Sequence, residues 1–301
     1  MTLVAVTGAT GYVGRFVVAE LQQRGMSVRA LVRGSSDRSG FDQPMEWITG
    51  DLRTEQAIEE LVLGADAVVH LAYEHVPGQY RNGEGDDLPA WLDANLNGSL
   101  DLIQAAQQAS VARFIFLSSR AVFSRTEAGH VLDEMHPTSP DSHYGAYKAA
   151  VEAFLASFAR VGNMATCAVR ATGVYGLSYP IERSKWWELV RAVLRDEAIT
   201  SNRGGTEVHG ADVARAIGLL LTRPTMDIER LHLSDLYVTT REIVRLVRQF
   251  SGREGDLPAE SAAPTNVMTS RYLDQLGLRL GGQALLEKTI GDLVEAAKAI
   301  P

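Results

Sequence analysis

The stretch VTGATGYVG, residues 6–14, decides the fold that we predict for this chain. It follows an apolar run at Leu3–Val6 that predicts a strand, and it leads into a helical pattern at Tyr12–Arg24. Glycines allow the backbone to turn tightly and to approach a pyrophosphate, and the N-terminus of the following helix offers free N–H groups to an anion. The stretch therefore predicts a phosphate site, although a lone glycine-rich turn is equally typical of a plain tight turn.

A second stretch, YGAYK at residues 144–148, opens a later helical pattern that runs over Tyr144–Val161. Tyr144 and Lys148 stand at i and i+4, so they share one helical face. The ammonium group favours the phenolate, which lets the tyrosine exchange protons nearer neutral pH than its free pKa of about 10 allows. Alone, this spacing is also common on a solvated helix face. Together with the glycine turn and a serine-bearing strand between them, it predicts a nicotinamide-dependent oxidoreductase.

The first 170 residues alternate between strand and helix patterns. The predicted strands are Leu3–Val6, Ser27–Val32, Glu46–Ile48, Ala67–Leu71, Arg113–Leu117 and Ala165–Val169, and the predicted helices between them are Tyr12–Arg24, Glu55–Leu63, Leu88–Ala109 and Tyr144–Val161. Such strands, apolar on both faces, predict an α/β fold with a doubly wound parallel Rossmann sheet that binds its ligand at the carboxyl ends of the strands. The loop between Tyr73 and Pro89 is long and rich in glycine and acid, which predicts a functional lid.

The pattern loosens after Arg170. The predicted elements there are helices at Glu182–Arg195, Asp212–Leu221, Thr239–Phe250 and Leu285–Ala299, a turn at 202–205, a short strand at Leu231–Leu233 and a loop at Gly252–Pro264. We predict a dinucleotide-binding Rossmann domain over residues 1–170. Residues 171–301 are predicted to be mainly a small substrate-binding cap, with segments that return to the Rossmann core.

Composition and charge exclude several classes of protein. With 46% hydrophobic and 22% charged residues the 301-residue chain is typical of a globular protein, and its net charge of −8 argues against a nucleic-acid binder. No apolar run approaches the roughly 18 residues of a membrane span, and no leader pattern precedes the first strand, so we expect no membrane partner. The single Cys167 forms no internal disulfide and fits the cytoplasm. The 7 histidines show no ligand spacing, so no metal site is predicted.

The chain resembles an extended short-chain dehydrogenase/reductase of the NAD(P)-dependent epimerase/dehydratase family over nearly its whole length. The motifs that carry the resemblance are TGATGYVG at 7–14, GDL at 50–52, HLAY at 70–73, NLNGS at 95–99, FLSSRAVF at 116–123, RATGVYG at 170–176 and VHGADVA at 208–214. The resemblance implies that Tyr144 is the general acid/base and that Lys148 is its electrostatic partner and a ribose ligand. It also implies that Ser119 hydrogen-bonds the reacting carbonyl or hydroxyl.

The resemblance further implies a set of residues that hold the cofactor. Asp51 is expected to meet the adenine amino group, and the HLAY segment to line the nicotinamide ribose. Ser118 is expected to turn to the backbone or the cofactor, although both serines could merely cap their strand. The expected cofactor residues are Gly8, Thr10, Gly11, Tyr12, Val13, Gly14, Arg33, Asp51, Leu52, Leu71, Ala72, Tyr73, Asn95, Ser118, Tyr144, Lys148, Ala171, Gly173 and Val174.

Arg33 decides which dinucleotide the sequence favours. An acidic residue about 20 positions beyond the glycines holds a free ribose hydroxyl, but here the second strand ends in Arg33. Arginine accommodates a 2′-phosphate by charge-assisted hydrogen bonds. We therefore expect NADP, assisted by Arg15, Ser35, Ser36 and Arg38, with NAD as the alternative if Arg33 is solvated and Asp37 holds the ribose.

Two departures from the family pattern narrow the chemistry. Arg120-Ala121 stands where members that eliminate water usually carry an Asp-Glu pair, so dehydration is not expected. Gly205 stands where members that bind nucleotide diphosphates often carry an arginine, which favours a smaller substrate. The candidate substrate contacts are Glu74, Ser119, Arg120, Arg183, Trp186 and His209, with Lys185 a further cation; the three cations could equally form surface salt bridges.

We therefore predict oxidoreductase chemistry on a hydroxyl or carbonyl of a sugar or sugar-like polyol. Whether the enzyme is an epimerase or a dehydrogenase stays open. Alternatives are a ketone or aldehyde reductase on an aromatic or terpenoid substrate, favoured by Trp186 and Trp187, and a non-catalytic dinucleotide sensor, which would not need Ser119, Tyr144 and Lys148. By resemblance, the helices at 88–109 and 144–161 are expected to pair in a homodimer.

Overall fold

The computed structural model describes residues 2–79 and 81–300. Its strands are β1 Leu3–Thr7, β2 Ser27–Val32, β3 Glu46–Thr49, β4 Ala67–His70, β5 Arg113–Ser119, β6 Val131–Leu132, β7 Ala165–Ala171, β8 Gly173–Tyr175, β9 Gly204–His209, β10 Arg230–Leu233, β11 Leu236–Thr239 and β12 Val267–Met268. Its helices are α1 Tyr12–Gln23, α2 Glu55–Val62, α3 Leu88–Leu92, α4 Gly98–Gln108, α5 His143–Val161, α6 Trp187–Leu194, α7 Gly210–Thr222, α8 Thr240–Ser251 and α9 Gly282–Ala299. None of these helices has both the length and the apolar character that crossing a bilayer requires.

The central sheet is parallel and seven-stranded, in the order β10-β7-β5-β4-β1-β2-β3. The strand order reverses between β1 and β4, and the carboxyl ends of these two strands lie side by side, with Thr7 opposite His70. Ligands of open α/β sheets bind in the crevice outside such a switch point. The predicted doubly wound Rossmann sheet is confirmed, and its topology puts the candidate site at this edge.

Helices cover both faces of the sheet because successive residues of a strand point to opposite sides. In β1, Val4 and Val6 pack with α1 and α7 in one core cluster. Ala5, between them, packs with α2, α4 and α5 in a second cluster on the other face. This double burial explains why the strands are apolar at nearly every position.

The chain after Arg170 forms a smaller layer and also returns to the central one. β8, β9 and β11 form a separate three-stranded sheet, and α6, α8 and α9 enclose their own apolar cluster. β10 joins the central sheet beside β7, and α7 packs against α1. The functional division near residue 170 stays a prediction.

The predicted helix Glu182–Arg195 is wrong in its first turn. α6 begins at Trp187, after a short 3₁₀ turn at Ile181–Arg183. Trp186, directly before the helix, has a φ of 69° in the left-handed region. Residues other than glycine are strained in this region, and a residue in this conformation cannot continue a right-handed helix.

Two further predicted elements differ from the structure. The prediction of a turn at 202–205 is wrong for its second half, because Gly204 and Gly205 begin β9 and pair with β11. The single helix Leu88–Ala109 is interrupted by a π-helical turn at Asp93–Asn97. Such turns insert a residue into an otherwise helical pattern, so apolar periodicity does not reveal them.

Candidate active site

A cleft of about 1100 Å³ opens at the carboxyl edge of the central sheet, above the switch point between β1 and β4. It exceeds the roughly 300–1,000 Å³ of an ordinary small-molecule pocket. The structure brings all of the expected cofactor residues to its wall: Gly8, Thr10, Gly11, Tyr12, Val13, Gly14, Arg33, Asp51, Leu52, Leu71, Ala72, Tyr73, Asn95, Ser118, Tyr144, Lys148, Ala171, Gly173 and Val174. Ser119 lies there too, so the two stretches that opened the sequence analysis share one cavity.

The glycine turn, residues 8–14, fits an anion because side chains are excluded from it. Gly8 has a φ of 75°, and a Cβ there would lie 2.7 Å from the backbone nitrogen of Ala72. A Cβ on Gly14 would lie 2.0 Å from the carbonyl oxygen of Gly8. Gly11, the N-cap of α1, supplies no capping side chain to the first N–H groups of the helix. The turn is therefore a bare backbone cradle of the kind that binds pyrophosphate.

A buried hydrogen-bond chain supports this cradle from below. The imidazole of His70 lies 2.6 Å from the hydroxyl of Thr7 through Nδ1 and 2.8 Å from that of Ser99 through Nε2. Burial, with a smaller contribution from Lys148, lowers the pKa of His70 to about 3. The ring is therefore neutral at physiological pH and joins β1, β4 and α4 as a structural group.

Asn95 lies within the π-helical turn and fixes the start of the long loop. Its side-chain oxygen accepts a hydrogen bond of 2.8 Å from the backbone nitrogen of Glu74, and its side-chain nitrogen donates one of 3.0 Å to the carbonyl oxygen of Glu74. Residues 73–79 and 81–87 of the predicted lid form no regular element, and Tyr80 lies outside the described residues. The end of the predicted lid, at Leu88 and Pro89, already belongs to α3. Glu74, His75 and Arg81 line the cleft. The movement of this loop as a lid stays a prediction.

Tyr144 is brought beside the end of β5 by a close helix approach. A Cβ on Gly145 would lie 2.5 Å from the carbonyl oxygen of Ala121, so only glycine lets α5 start so near the segment after Ser119. The hydroxyl of Ser119 accepts a hydrogen bond of 3.1 Å from the backbone nitrogen of Ala121 and caps the 3₁₀ turn that follows. This capping role, raised as the plain alternative, is compatible with a place on the cleft wall, because a hydroxyl can also donate.

Lys148 links the tyrosine helix to the serine strand. Its Nζ donates a hydrogen bond of 2.7 Å to the carbonyl oxygen of Leu117. It also lies 4.5 Å from the ring centroid of Phe116 and 5.7 Å from that of Tyr144. Burial lowers the pKa of Lys148 to about 7, against an opposing effect of Glu152. The amine is thus held in a desolvated place beside the phenol ring.

The side chain of Ser118 has a different partner from those expected. Its hydroxyl donates to the carboxylate of Glu152, one helical turn beyond Lys148. The contact of Ser118 with the cofactor stays a prediction. Glu152 in turn receives hydrogen bonds from Arg170, whose side chain is only 1% exposed. Sequence reasoning missed this buried ion pair, because the two residues share no local pattern. It ties α5 to β5 and β7 and so holds the helix that carries Tyr144 and Lys148.

Arg33 lies at the far end of the cleft, with its side chain 62% exposed. Its guanidinium is 3.4 Å from the carboxylate of Glu74, which Arg53 also contacts at 3.4 Å. Ser36 shares this wall, and its hydroxyl accepts from the backbone nitrogen of Arg33. Glu74 was expected to contact substrate, but it lies here, at the Arg33 end of the cleft.

The other residues considered for this end lie off the cleft wall. The carboxylate of Asp37 accepts a hydrogen bond of 3.0 Å from the backbone nitrogen of Ser39. Arg15 donates to the carbonyl oxygen of Ser39 and packs 4.6 Å from the centroid of Phe41. Arg38 is bonded to the hydroxyl of Thr49. The structure therefore brings Arg33 and Ser36 to the cleft, but not Asp37, Arg15, Arg38 or Ser35.

Two of the candidate substrate contacts lie outside the cleft. Trp186 packs against Tyr175 with ring centroids 5.3 Å apart, and Trp187 is buried in the C-terminal cluster. His209 caps α7, because its Nδ1 accepts a hydrogen bond of 3.0 Å from the backbone nitrogen of Ala211. All three side chains are committed to packing or capping.

Cations from both parts of the chain line the remaining wall. They are Arg81, Arg120, Arg183 and Lys185. Lys185 forms an ion pair with Glu207, and its backbone nitrogen donates a hydrogen bond of 3.1 Å to the phenol of Tyr12. The segment with Arg183 and Lys185 thus lies over the start of α1, near the glycine turn. Arg120 lies beside Ser119 instead.

Comparison with known proteins agrees with this architecture. A family model described as the NAD dependent epimerase/dehydratase family matches residues 4–230. A putative dihydroflavonol 4-reductase of Synechocystis is 31% identical over 144 residues, 48% of this chain and 40% of that protein. The chain spans roughly half the length of the curated relatives it matches.

Two solved structures match almost completely. A UDP-glucose 4-epimerase of Thermotoga maritima with UDP-glucose superposes with a TM-score of 0.82 at 20% identity, over 99% of both chains. MoeE5 in complex with UDP-glucuronic acid and NAD gives a TM-score of 0.78 at 25% identity, again over 99% of both chains.

Proposed function

Because the chain belongs to the NAD dependent epimerase/dehydratase family, we propose that it is an NAD(P)-dependent oxidoreductase that acts on a hydroxyl or carbonyl of a sugar or sugar-like polyol. One observation carries the proposal. Ser119, Tyr144 and Lys148 line the same cleft as the bare glycine turn of a doubly wound sheet. A cofactor sensor would have no use for this set of proton-transfer groups. MoeE5, which was solved with UDP-glucuronic acid and NAD, supports the substrate class.

The residues of the cleft divide into holding and proton-moving groups. The glycine turn would hold the pyrophosphate, Asp51 the adenine and Lys148 the ribose. The nicotinamide, when bound, supplies hydride exchange. Ser119 would donate a hydrogen bond to the reacting oxygen, and the phenol oxygen of Tyr144 would give up or accept the proton. Lys148 would stabilise the phenolate electrostatically, since Nζ lies 5.7 Å from the centroid of the phenol ring.

The wall of the cleft favours a sugar over an aromatic substrate. Trp186 and Trp187, which suggested an aromatic subsite, pack away from the cleft. Gly205, which does line it, brings no cation to the position that often serves a nucleotide diphosphate. On this ground we propose a free sugar or polyol rather than a nucleotide sugar. The reductase alternative is supported by the dihydroflavonol reductase relative and by the 3-beta-hydroxysteroid dehydrogenases that the chain also matches.

A substrate panel tests the proposal. The purified protein is mixed with NAD or NADP and with free sugars, alditols, sugar acids, UDP-glucose or UDP-glucuronic acid, and reduction of the nicotinamide is followed by absorbance. We expect turnover with a free sugar, alditol or sugar acid. Isomerised sugar without net reduction would identify an epimerase. If neither nicotinamide exchange nor isomerised product is found with any compound, the oxidoreductase proposal is rejected, and turnover of the UDP-sugars alone rejects the small substrate.

We expect Arg33→Ala to weaken NADP binding about 10- to 150-fold while NAD binding changes little. Losing a charge-assisted hydrogen bond costs roughly 1.5–3 kcal/mol, and the guanidinium reaches the cleft at the end where the ribose phosphate is expected. Titration of both dinucleotides by fluorescence measures the two affinities. Arg38→Ala, which changes a nearby arginine off the cleft wall, is the control. An equal loss of affinity for both dinucleotides, or a parent protein that binds NAD more tightly than NADP, would show that Arg33 does not bind the 2′-phosphate.

The assembly and the compartment are also proposals. A homodimer through α3, α4 and α5 is supported by the exposure of Phe154 and Val161 on α5, at 45% and 79%. A measured molar mass of one chain would reject it. The cytoplasm is supported by Cys167, a free and buried thiol.

A further inference from the structure

We propose that Arg120 binds a carboxylate of the substrate, so that the substrate is a sugar acid or another polyol acid. This proposal rests on the proposed function, because it assumes that the cleft binds a substrate. It rests on the structure for the position and surroundings of the guanidinium.

Arg120 lies at the end of the cleft that holds Ser119, Tyr144 and Lys148, which we call the reacting end. It directly follows Ser119 at the end of β5, and the neighbouring Ala121 contacts both the hydroxyl of Ser119 and the start of α5. Arg183 is not an alternative for this position, because its segment lies over the start of α1. An anion held by Arg120 would therefore belong to the reacting compound and not to the dinucleotide phosphates.

Residues 2–79 and 81–300 supply no ion pair that compensates the charge of Arg120. Among the described residues, no carboxylate lies within 4 Å of its guanidinium. Its Nε is buried without a hydrogen-bond partner in that part of the chain, and its Nη2 makes only a long contact of 3.5 Å with the carbonyl oxygen of Asn266. Burial, and to a smaller extent the charge of Arg81, lowers the pKa of the Arg120 guanidinium from its ordinary value. A partly buried cation without a partner is unfavourable, so an anion in the cleft would stabilise it.

Of the other cations on this wall, Arg81 and Lys185 already have ion-pair partners, and Arg183 belongs to the segment over the start of α1. Arg81 forms an ion pair with Asp141 at 2.7 Å, and Lys185 forms one with Glu207. The carboxylates that line the cleft within the described residues are Asp51 and Glu74, and both lie beside Arg53 at the other end. Among the described residues at this end of the cleft, Arg120 is thus the guanidinium without an ion-pair partner.

The shape of the guanidinium favours a carboxylate. Its planar N–H groups match the two oxygens of a carboxylate in one plane, an arrangement that lysine cannot reproduce. A phosphate ester offers similar oxygens, so the experiment must compare the two. Suitable probes are glucose, glucuronate and glucose 6-phosphate, which share one sugar ring.

The test measures binding and turnover in parent protein, Arg120→Gln and Arg120→Lys. With dinucleotide present, we expect glucuronate to raise the melting temperature of the parent and glucose to have little effect, since a ligand stabilises the folded state by mass action. Arg120→Gln is expected to weaken acid binding, or to raise the KM for the acid substrate, roughly 10- to 150-fold. The affinity or KM for neutral compounds should change less than about threefold. Arg120→Lys should recover only part of the lost affinity for the acid. Arg195→Gln, which changes an exposed arginine directly after α6 that pairs with Glu197, is the control with the same loss of charge.

Each outcome supports or rejects the inference. Equal effects of Arg120→Gln on acid and neutral compounds reject it, as does preferred binding of the neutral sugar. A melting shift with glucose 6-phosphate or UDP, but not with glucuronate, rejects the carboxylate and assigns Arg120 to phosphate. Because the melting shift needs no turnover, a protein that binds glucuronate through Arg120 without oxidising it leaves this inference standing while the proposed function fails.

Discussion

Replacing Tyr144 by phenylalanine is expected to lower turnover by about 10²- to 10⁴-fold, which is the usual contribution of general acid–base catalysis. The variant keeps the ring, which packs 4.9 Å from that of Tyr73, and removes only the phenol oxygen that would move the proton. Dinucleotide affinity should change little, because Lys148 and the glycine turn are untouched. Steady-state turnover and dinucleotide titration of the same preparation measure the two effects.

Tyr272→Phe is the matched control for this prediction. Tyr272 packs against the core cluster on the α1 face and does not line the cleft. Its variant should keep the activity of the parent. Turnover of Tyr144→Phe within threefold of the parent would remove Tyr144 from the mechanism, whereas an equal loss in Tyr272→Phe would point to a general effect on folding.

Arg170→Met is expected to lower the free energy of unfolding by about 3–5 kcal/mol. The change leaves Glu152 buried without its ion-pair partner, which costs more than the lost attraction itself. Equilibrium denaturation in urea measures the effect. The double variant Arg170→Met with Glu152→Gln should recover part of the loss, because the unpaired charge is then removed.

An exposed pair provides the control. Lys288 and Asp292 on α9 are 69% and 40% exposed, and such surface pairs contribute roughly 0–1 kcal/mol. Lys288→Met should therefore be almost neutral. If Arg170→Met costs no more than Lys288→Met, the buried pair does not stabilise the fold, and α5 is held by its apolar contacts alone.

Most of the central fold could be predicted because its signals are local. Double burial produces the apolar strands, and close backbone approach requires the glycines of the turn, so both are written in short stretches. The same holds for Tyr144 and Lys148, which one helical turn brings together. The predicted bounds of α6 and the predicted turn at 202–205 were wrong, because a left-handed Trp186 and strand pairing with β11 depend on neighbours distant in sequence.

The sequence by itself determined the doubly wound sheet, the glycine turn and the pairing of Tyr144 with Lys148, because spacing along the chain fixes these arrangements. Tertiary structure alone decided which polar groups are satisfied. Ser118 contacts Glu152 at a separation of 34 residues. Arg120 contacts Asn266 at a separation of 146 and meets no carboxylate in the described part of the chain. A charge is paired or unpaired only through such contacts, since its free energy depends on burial and on partners that no local pattern records.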